Sequence, residues 1–194
     1  MSEPTIQKLK ARIRDEAFSR RDALDRAWRV QASRQMAERV LALPELRDLE
    51  PVSAFWPIFS EIDPRPLLEA LHARGQKTCL PVVAHPNLQF RLWQPGDELV
   101  KSEFGVHQPA PDKAEVFPRA LIVPLAAFDR HGGRIGYGKG HFDRAIAALE
   151  ERHPVLAIGV AFSCQEMPRV PQEPHDMRID FVATEAEVIR SVPA

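Results

Sequence analysis

The segment Asp129–Arg144 gathers residue types that can grip an anion. Five of the chain's nine glycines, Gly132, Gly133, Gly136, Gly138 and Gly140, fall inside it, as does the only tyrosine, Tyr137. Glycine lets backbone N–H groups converge on a ligand with no Cβ in the way. Arg134, Lys139 and Arg144 add fixed positive charge to the same stretch. A helix opening at its end would add the positive end of its dipole. Together these parts describe a polyphosphate site. The spacing is not that of a dinucleotide fingerprint, because His141 stands where the third glycine belongs. Gly133 through Lys139 fits a Walker A loop, but Gly140 then replaces the hydroxyl residue that binds Mg²⁺. A metal at this loop must be held by carboxylate, and Asp143 is the nearest in the motif. The plainer alternative is a solvated surface loop, which would not need three cations beside those glycines.

Such a loop has to be placed by its neighbours. Ala120–Phe128 is a continuous apolar run, the pattern of a strand buried on both faces. Phe142–Glu151 reads as a helix and Val155–Ala161 as another buried strand. A loop between a buried strand and a helix lies at the carboxyl edge of an α/β sheet, where ligands bind. Upstream, residues 5–43 carry apolar residues at helical spacing (Ile6, Leu9, Ile13, Ala17, then Leu24 and Trp28). Pro4 suits the first turn, and a break near Ser19 or Asp22 would split the segment into two helices. Val52–Ile58, Lys77–Val83 and Leu88–Trp93 read as strands. Pro64–Arg74 reads as a helix, with Asp63 as N-cap and Gly75 past its end. Residues 94–118 read mainly as loop, and Arg178–Thr184 as a last strand. The alternation predicts an α/β fold with a mostly parallel sheet.

The bulk numbers narrow the function classes. A chain of 194 residues suits one domain, here basic helices over residues 1–47 and an α/β body over 51–194. Its formal net charge of −1 argues against a general nucleic-acid or membrane-surface binder. The segment up to Arg47 holds eleven Lys/Arg against seven Asp/Glu, either a solvated helical face or a source of cations for an anionic ligand. No apolar run approaches the roughly 18–20 residues of a membrane span, and the N-terminus lacks the apolar stretch of a signal peptide. Cys79 and Cys164 fit no metal-ligand spacing and read as buried thiols. A cytoplasmic protein is the resulting expectation.

Phe128-Asp129 followed by Gly133 through Arg144 resembles the signature of the 5-formyltetrahydrofolate cyclo-ligase family, approximately F-D-x-x-G-x-R-[LI]-G-x-G-x-G-[YF]-[YF]-D. Lys10 and Arg14 resemble that family's K-x-x-x-R element. Phe55 through Asp63 resembles its strand and "E-[IV]-[DN]" turn, and Lys77–Pro81 its K-x-[VI]-x-[LF]-P strand. Gly159–Phe162, Gln165 and Pro171–Asp176 resemble its ending. These segments are collinear over nearly the whole chain. One departure stands out. His141-Phe142 occupies the place of an aromatic pair that is often Tyr-Tyr, so the phenolic hydroxyls are gone. A His141 ring nitrogen could replace one of them, or His141 could simply begin a helix.

The resemblance implies a three-layer, NagB/RpiA-like α/β fold with an N-terminal helical arm. It also implies an ATP- and Mg²⁺-dependent enzyme that converts 5-formyltetrahydrofolate to 5,10-methenyltetrahydrofolate, ADP and phosphate. The partners would be ATP and a reduced folate, with no nucleic acid or membrane, and the chain would be a monomer or weak dimer. Lys139 and Arg134 would be the catalytic cations. ATP would be held by Lys10, Arg14, Arg134, Ile135, Gly136, Tyr137, Gly138, Lys139, Gly140, His141 and Phe142. Trp56, Glu61, Tyr137 and His141 would meet the folate, and Asp143 and Asp176 the metal. Alternative readings of the residues stay open at this point. Trp56 fits the core as well as a pterin face, and Glu61 fits a surface turn. Asp180 rivals Asp176, and His175 reads as structural. Phe104, Phe117 and Phe162 fit core or pocket lining. A small-molecule kinase or ligase with a variant phosphate loop, or a non-catalytic nucleotide- or RNA-binding module, are the rival functions.

Overall fold

A computed structural model of the chain describes residues 5–102 and 105–191. The expectations for Pro4 and Phe104 lie outside those residues. The elements are α1 (Ile6–Asp22), α2 (Arg26–Leu41), β1 (Val52–Ser53), α3 (Arg65–Ala73), β2 (Thr78–Ala84), β3 (Asn87–Leu92), β4 (Leu99–Lys101) and β5 (His107–Pro109). They continue with β6 (Ala120–Pro124), β7 (Ala127–Phe128), β8 (Arg134–Ile135), α4 (His141–Glu150), β9 (Leu156–Val160), β10 (Phe181–Ala183) and β11 (Val188–Arg190). The long basic segment breaks after Asp22. Asp25 then opens α2, its side chain accepting from the Trp28 N–H at 3.0 Å and satisfying one of the helix's unpaired donors.

Seven strands form the main sheet in the order β11-β10-β9-β6-β1-β2-β3. The strands from β10 to β2 are parallel, and the edges β3 and β11 are antiparallel. The chain enters mid-sheet at β1, runs outward to β2 and β3, and returns on the other side of β1 at β6. The connections leaving β1 and β6 therefore diverge. A crevice at such a switch point is the usual ligand position in an open α/β sheet.

The apolar run of β6 shows why the sheet has two covered faces. Ala120 and Ile122 pack with Met36 and Val40 of α2 and Leu67 and Leu71 of α3. Leu121 and Val123 point the other way, toward Ile146 and Leu149 of α4. All four strand residues are fully buried. Burying each of the larger ones contributes about 1.5–3 kcal/mol. Helices α2 and α3 thus form one outer layer and α4 the other. Helix α1 does not stand off as an arm. Its Ala17 is buried in a third cluster with Ala126, Ala127, Ile135, Met167 and Val170, so it lies across the β7–β8 hairpin.

Several boundaries differ from the sequence reading. The strand expected over Val52–Ile58 ends at Ser53, and the chain then leaves the sheet through Pro57, which has no N–H for a ladder. Ala120–Phe128 divides into β6 and β7, because the chain turns away at Leu125-Ala126 to pair with β8. The supposed loop 94–118 contains the antiparallel pair β4–β5. β11, antiparallel at the sheet edge, was not expected. α3 starts after Pro64, although Asp63 still accepts from the Arg65 N–H at 2.9 Å. Phe162 is core, whereas Phe117 is exposed under the guanidinium of Arg152 at 4.2 Å. Cys79 is buried, and burial pushes its thiol up to about 12; Cys164 is half-buried. Among the described residues no helix is long and apolar enough to cross a membrane.

Candidate active site

A cavity of about 650 Å³ opens at the carboxyl ends of β1 and β6. Its walls are one face of α1, the segment after β1, the β2–β3 and β5 strands, the glycine loop and Glu173–Asp176. The site residues implied by the family resemblance all line it: Lys10, Arg14, Trp56, Glu61, the run Arg134–Asp143, and Asp176.

The loop is braced from below by Asp129, which is 2% exposed. Its Oδ1 accepts from the N–H groups of His131 (2.8 Å) and Gly133 (2.9 Å), and its Oδ2 from that of Val170 (2.8 Å). A Cβ at Gly133 would sit 2.7 Å from that carboxylate, so the brace requires glycine there. Gly140, at φ 62°, is the N-cap of α4, and no side chain caps the helix. The first N–H groups of α4 thus lie uncapped at the cavity wall, where an anion can satisfy them.

Helix α1 places Lys10, Arg14, Ala17 and Arg21 on one face by their spacing of four, three and four. Arg14 Nε donates to the Gly136 carbonyl at 2.8 Å, tying helix to loop. Lys10 Nζ donates to Glu173 Oε2 at 2.9 Å and also to Asp176. Asp176 accepts in addition from the Glu173 N–H at 2.8 Å. Burial alone would raise the Asp176 carboxyl, but Lys10 and that N–H outweigh it and hold it below the usual carboxylate range. Arg134 is 7% exposed, and its Nη2 donates to Asp143 Oδ1 at 2.6 Å and its Nε to the Met177 carbonyl at 3.2 Å. Burial lowers the Arg134 pKa, against Asp143 and Asp176.

Arg144 differs from the sequence reading. Its guanidinium donates to the carbonyls of Pro86 (2.7 Å) and Lys139 (2.9 Å), fastening the loop to the β2–β3 turn. It is a brace and does not line the cavity. Asp180 is also structural: its Oδ2 accepts from the Ala157 N–H at 2.8 Å beside β9. Asp176 lines the cavity and Asp180 does not. Among the described residues, the group able to hold a metal is Glu173, His175 and Asp176, with donor atoms within 4.8 Å of one another. Asp143 is not in that group. The two carboxylates are hard oxygen donors of the kind Mg²⁺ takes, whereas His175 is largely exposed.

The other side of the cavity is less charged. Trp56 is half-buried, edge-on to Trp93 at 5.9 Å, with the Arg65 guanidinium 5.1 Å from its ring. It belongs to both core and cavity wall. Glu61 Oε2 accepts from the Ile58 N–H at 2.8 Å, and its carboxylate faces the Tyr137 hydroxyl. Burial raises the Glu61 carboxyl, against Tyr137, Ile58 and Arg21. Burial also raises the Tyr137 phenol, with Glu61 adding to the shift. The His141 imidazole is lowered by burial and by Arg144, Lys139 and His85, all of which disfavour its charged form. Sequence reasoning missed Glu173 and Arg21. Arg21 had a signal, since it continues the Lys10–Arg14–Ala17 stripe.

The matching family is described as the 5-formyltetrahydrofolate cyclo-ligase family, and the match runs over residues 6–185. The 5-formyltetrahydrofolate cyclo-ligase of Escherichia coli K12 is 33% identical over 177 residues, 87% of this chain and 96% of that protein. The mouse protein of the same name is 24% identical over 95% of this chain and 98% of its own. The solution structure of 5,10-methenyltetrahydrofolate synthetase from Aquifex aeolicus superposes with a TM-score of 0.81 at 29% identity, covering 96% of this chain and 94% of that one. A synthetase of the same name from Mycoplasma pneumoniae shares the fold at a TM-score of 0.73 and 19% identity. With a match over nearly its full length and a bacterial relative covered almost end to end, the chain belongs to the 5-formyltetrahydrofolate cyclo-ligase family.

Proposed function

We propose that this chain uses ATP to close 5-formyltetrahydrofolate to 5,10-methenyltetrahydrofolate, releasing ADP and phosphate. One observation supports this beyond family membership. A single cavity joins a charged, glycine-rich wall to a half-apolar wall bearing Trp56 and one carboxylate, Glu61. The first wall suits a polyphosphate and the second a flat, N–H-bearing ring.

The formyl oxygen is a poor leaving group. Its attack on the γ-phosphorus breaks the bond to the β–γ bridging oxygen, and ADP departs. N10 then adds to the activated formyl carbon. The C–O bond breaks, phosphate leaves with the proton from N10, and the methenyl cation remains. Such a transfer asks mainly for positioning and charge neutralisation. Lys139 and Arg134, with the loop amides and the open end of α4, would cradle the phosphates. Lys10 and Arg14 would reach the nucleotide from α1. Trp56 would stack on the pterin, and Glu61 would accept from its N–H donors. His141, whose charged form is disfavoured by burial and by Arg144, Lys139 and His85, offers a ring nitrogen at the place of the family pattern's aromatic pair. Asp176 and Glu173, together with Asp143, supply carboxylate oxygens suited to Mg²⁺, and a bound Mg²⁺ would offset phosphate charge. Incubation of purified protein with 5-formyltetrahydrofolate, ATP and Mg²⁺ is expected to develop the methenyl product's absorbance. No product at high enzyme concentration would sink the reading. The same chemistry makes a soluble, cytoplasmic setting the natural one, which fractionation of the source cells would check.

A further inference from the structure

Neither phosphate binding nor core packing accounts for Arg21. It sits near the end of α1 and is 3% exposed. Its carboxylate neighbour, Asp22 at 3.4 Å, is itself exposed. A buried guanidinium is costly unless its donors are used. Here Nε donates to Ser60 Oγ at 2.8 Å and Nη1 to the Tyr137 hydroxyl at 2.9 Å. The Ser60 hydroxyl in turn donates to Asp22. The guanidinium lies 4.5 Å from the Phe18 ring, and Phe18 packs on Tyr137 at 5.2 Å. Two residues one helical turn apart therefore hold the tyrosine, one by its ring and one by its oxygen.

The direction of the hydrogen bonds follows from the donor inventory. A guanidinium can only donate, so the Tyr137 oxygen is an acceptor toward Arg21. The phenolic proton must then point elsewhere, and the acceptor that interacts with this hydroxyl is the Glu61 carboxylate, which lines the same cavity. Glu61 also receives the Ile58 N–H. An ionised Glu61 carboxylate, with the Ile58 N–H on one oxygen and the phenol facing it, offers a ligand only acceptor lone pairs. That is the complement of the paired amino and ring N–H groups along one edge of a reduced pterin.

We propose that Arg21 is a positioning residue for the folate half of the cavity: acting through Tyr137, it fixes the Glu61 carboxylate as an acceptor for the pterin's N–H donors. The inference rests on the proposed function and gives the Tyr137 hydroxyl a specific part on the folate side.

The test is steady-state kinetics of Tyr137→Phe and Arg21→Met, varying each substrate separately. Tyr137→Phe keeps the ring on Phe18 and deletes only the relaying hydroxyl. It should raise KM for 5-formyltetrahydrofolate at least fivefold and leave KM for ATP within twofold. Arg21→Met should act in the same direction. The double variant should be no more than about twofold worse than the poorer single one, because the residues form one relay. Arg21→Lys, which can still donate to Tyr137, should recover part of the loss; it and Tyr137→Phe carry the test if Arg21→Met does not fold. Three results would overturn the relay: folate KM unchanged in Tyr137→Phe, both KM values rising together, or single effects that multiply in the double variant. An active wild-type enzyme with any of these loses the relay alone. A wild-type chain that forms no methenyl product loses the proposed function and the relay with it.

Discussion

The two walls of the cavity are built on opposite plans. On the phosphate wall, cations already lie on carboxylates: Lys10 on Asp176 and Glu173, Arg134 on Asp143. Backbone there runs through left-handed glycines, Gly138 at φ 90° and Gly140 at φ 62°. On the folate wall, Trp56, Pro81, Val83 and Leu88 supply shape, and the one carboxylate is pinned by fixed donors. The phosphate wall must exchange partners to bind, whereas the folate wall is preformed. A ligand bringing only anion would have to strip each cation from its carboxylate and leave that carboxylate unpaired, which is expensive in a partly buried site. A ligand bringing anion and divalent cation together replaces both halves of each pair at once. For the proposed reaction, the contrast favours the metal–nucleotide complex over free nucleotide as the entering species.

Lys139→Ala should produce the largest effect. Loss of one preorganised charge at a transferring phosphate costs on the order of 10²–10³ in rate. A kcat reduced less than about threefold would remove Lys139 from the chemistry and weaken the division between the walls. Asp143→Asn comes next. It should raise the Mg²⁺ concentration for half-maximal rate by about tenfold, the lower range seen when a metal's supporting groups are altered. An unchanged magnesium titration would make Asp143 only the partner of Arg134 and leave the metal to Glu173 and Asp176.

The glycine-rich, charged wall was legible in the sequence and the half-apolar wall only partly. Glycines beside cations are a local pattern, and the apolar run of β6 predicts what precedes them. Arg21, Glu173 and Ser60 act through partners far along the chain. Lys10 meets Asp176 across 166 positions and Arg21 meets Tyr137 across 116. No window along the sequence contains such pairs. The same limit hid β8 within the glycine loop and β4–β5 within a proline-rich stretch, since pairing decides strands that short. Asp129 and Arg144 illustrate a different gap. Both lie in or beside the motif, yet one spends its charge on backbone N–H groups and the other on carbonyls.

Ionic strength should separate the walls more gently. Raising salt from ~0.05 to ~0.5 M shortens the Debye length from about 14 to about 4 Å. KM for ATP should rise about three- to tenfold, and KM for the folate less than twofold. Parallel rises would mean that charge recruits both substrates and that the apolar wall adds little.

The smallest expected effect concerns Phe59, at the tip of the turn carrying Glu61. The Glu61 N–H donates to the Ile58 carbonyl at 3.1 Å, closing a four-residue turn with Phe59 in its second position. Phe59 is 92% exposed and has φ 53°, a conformation that costs a residue bearing a Cβ about 1–2 kcal/mol. Glycine removes that strain but enlarges the unfolded ensemble by about 0.5–1 kcal/mol. Phe59→Gly should therefore gain about 0.5–1 kcal/mol, a rise in Tm of roughly 2 °C for a chain this long. A more pliable turn should also raise folate KM about two- to threefold and leave ATP KM alone, because strain held at a binding turn serves preorganisation. Higher Tm with unchanged folate KM would show that the strained turn does not help hold Glu61. Lower Tm would show that the Phe59 ring packs well enough to outweigh its backbone.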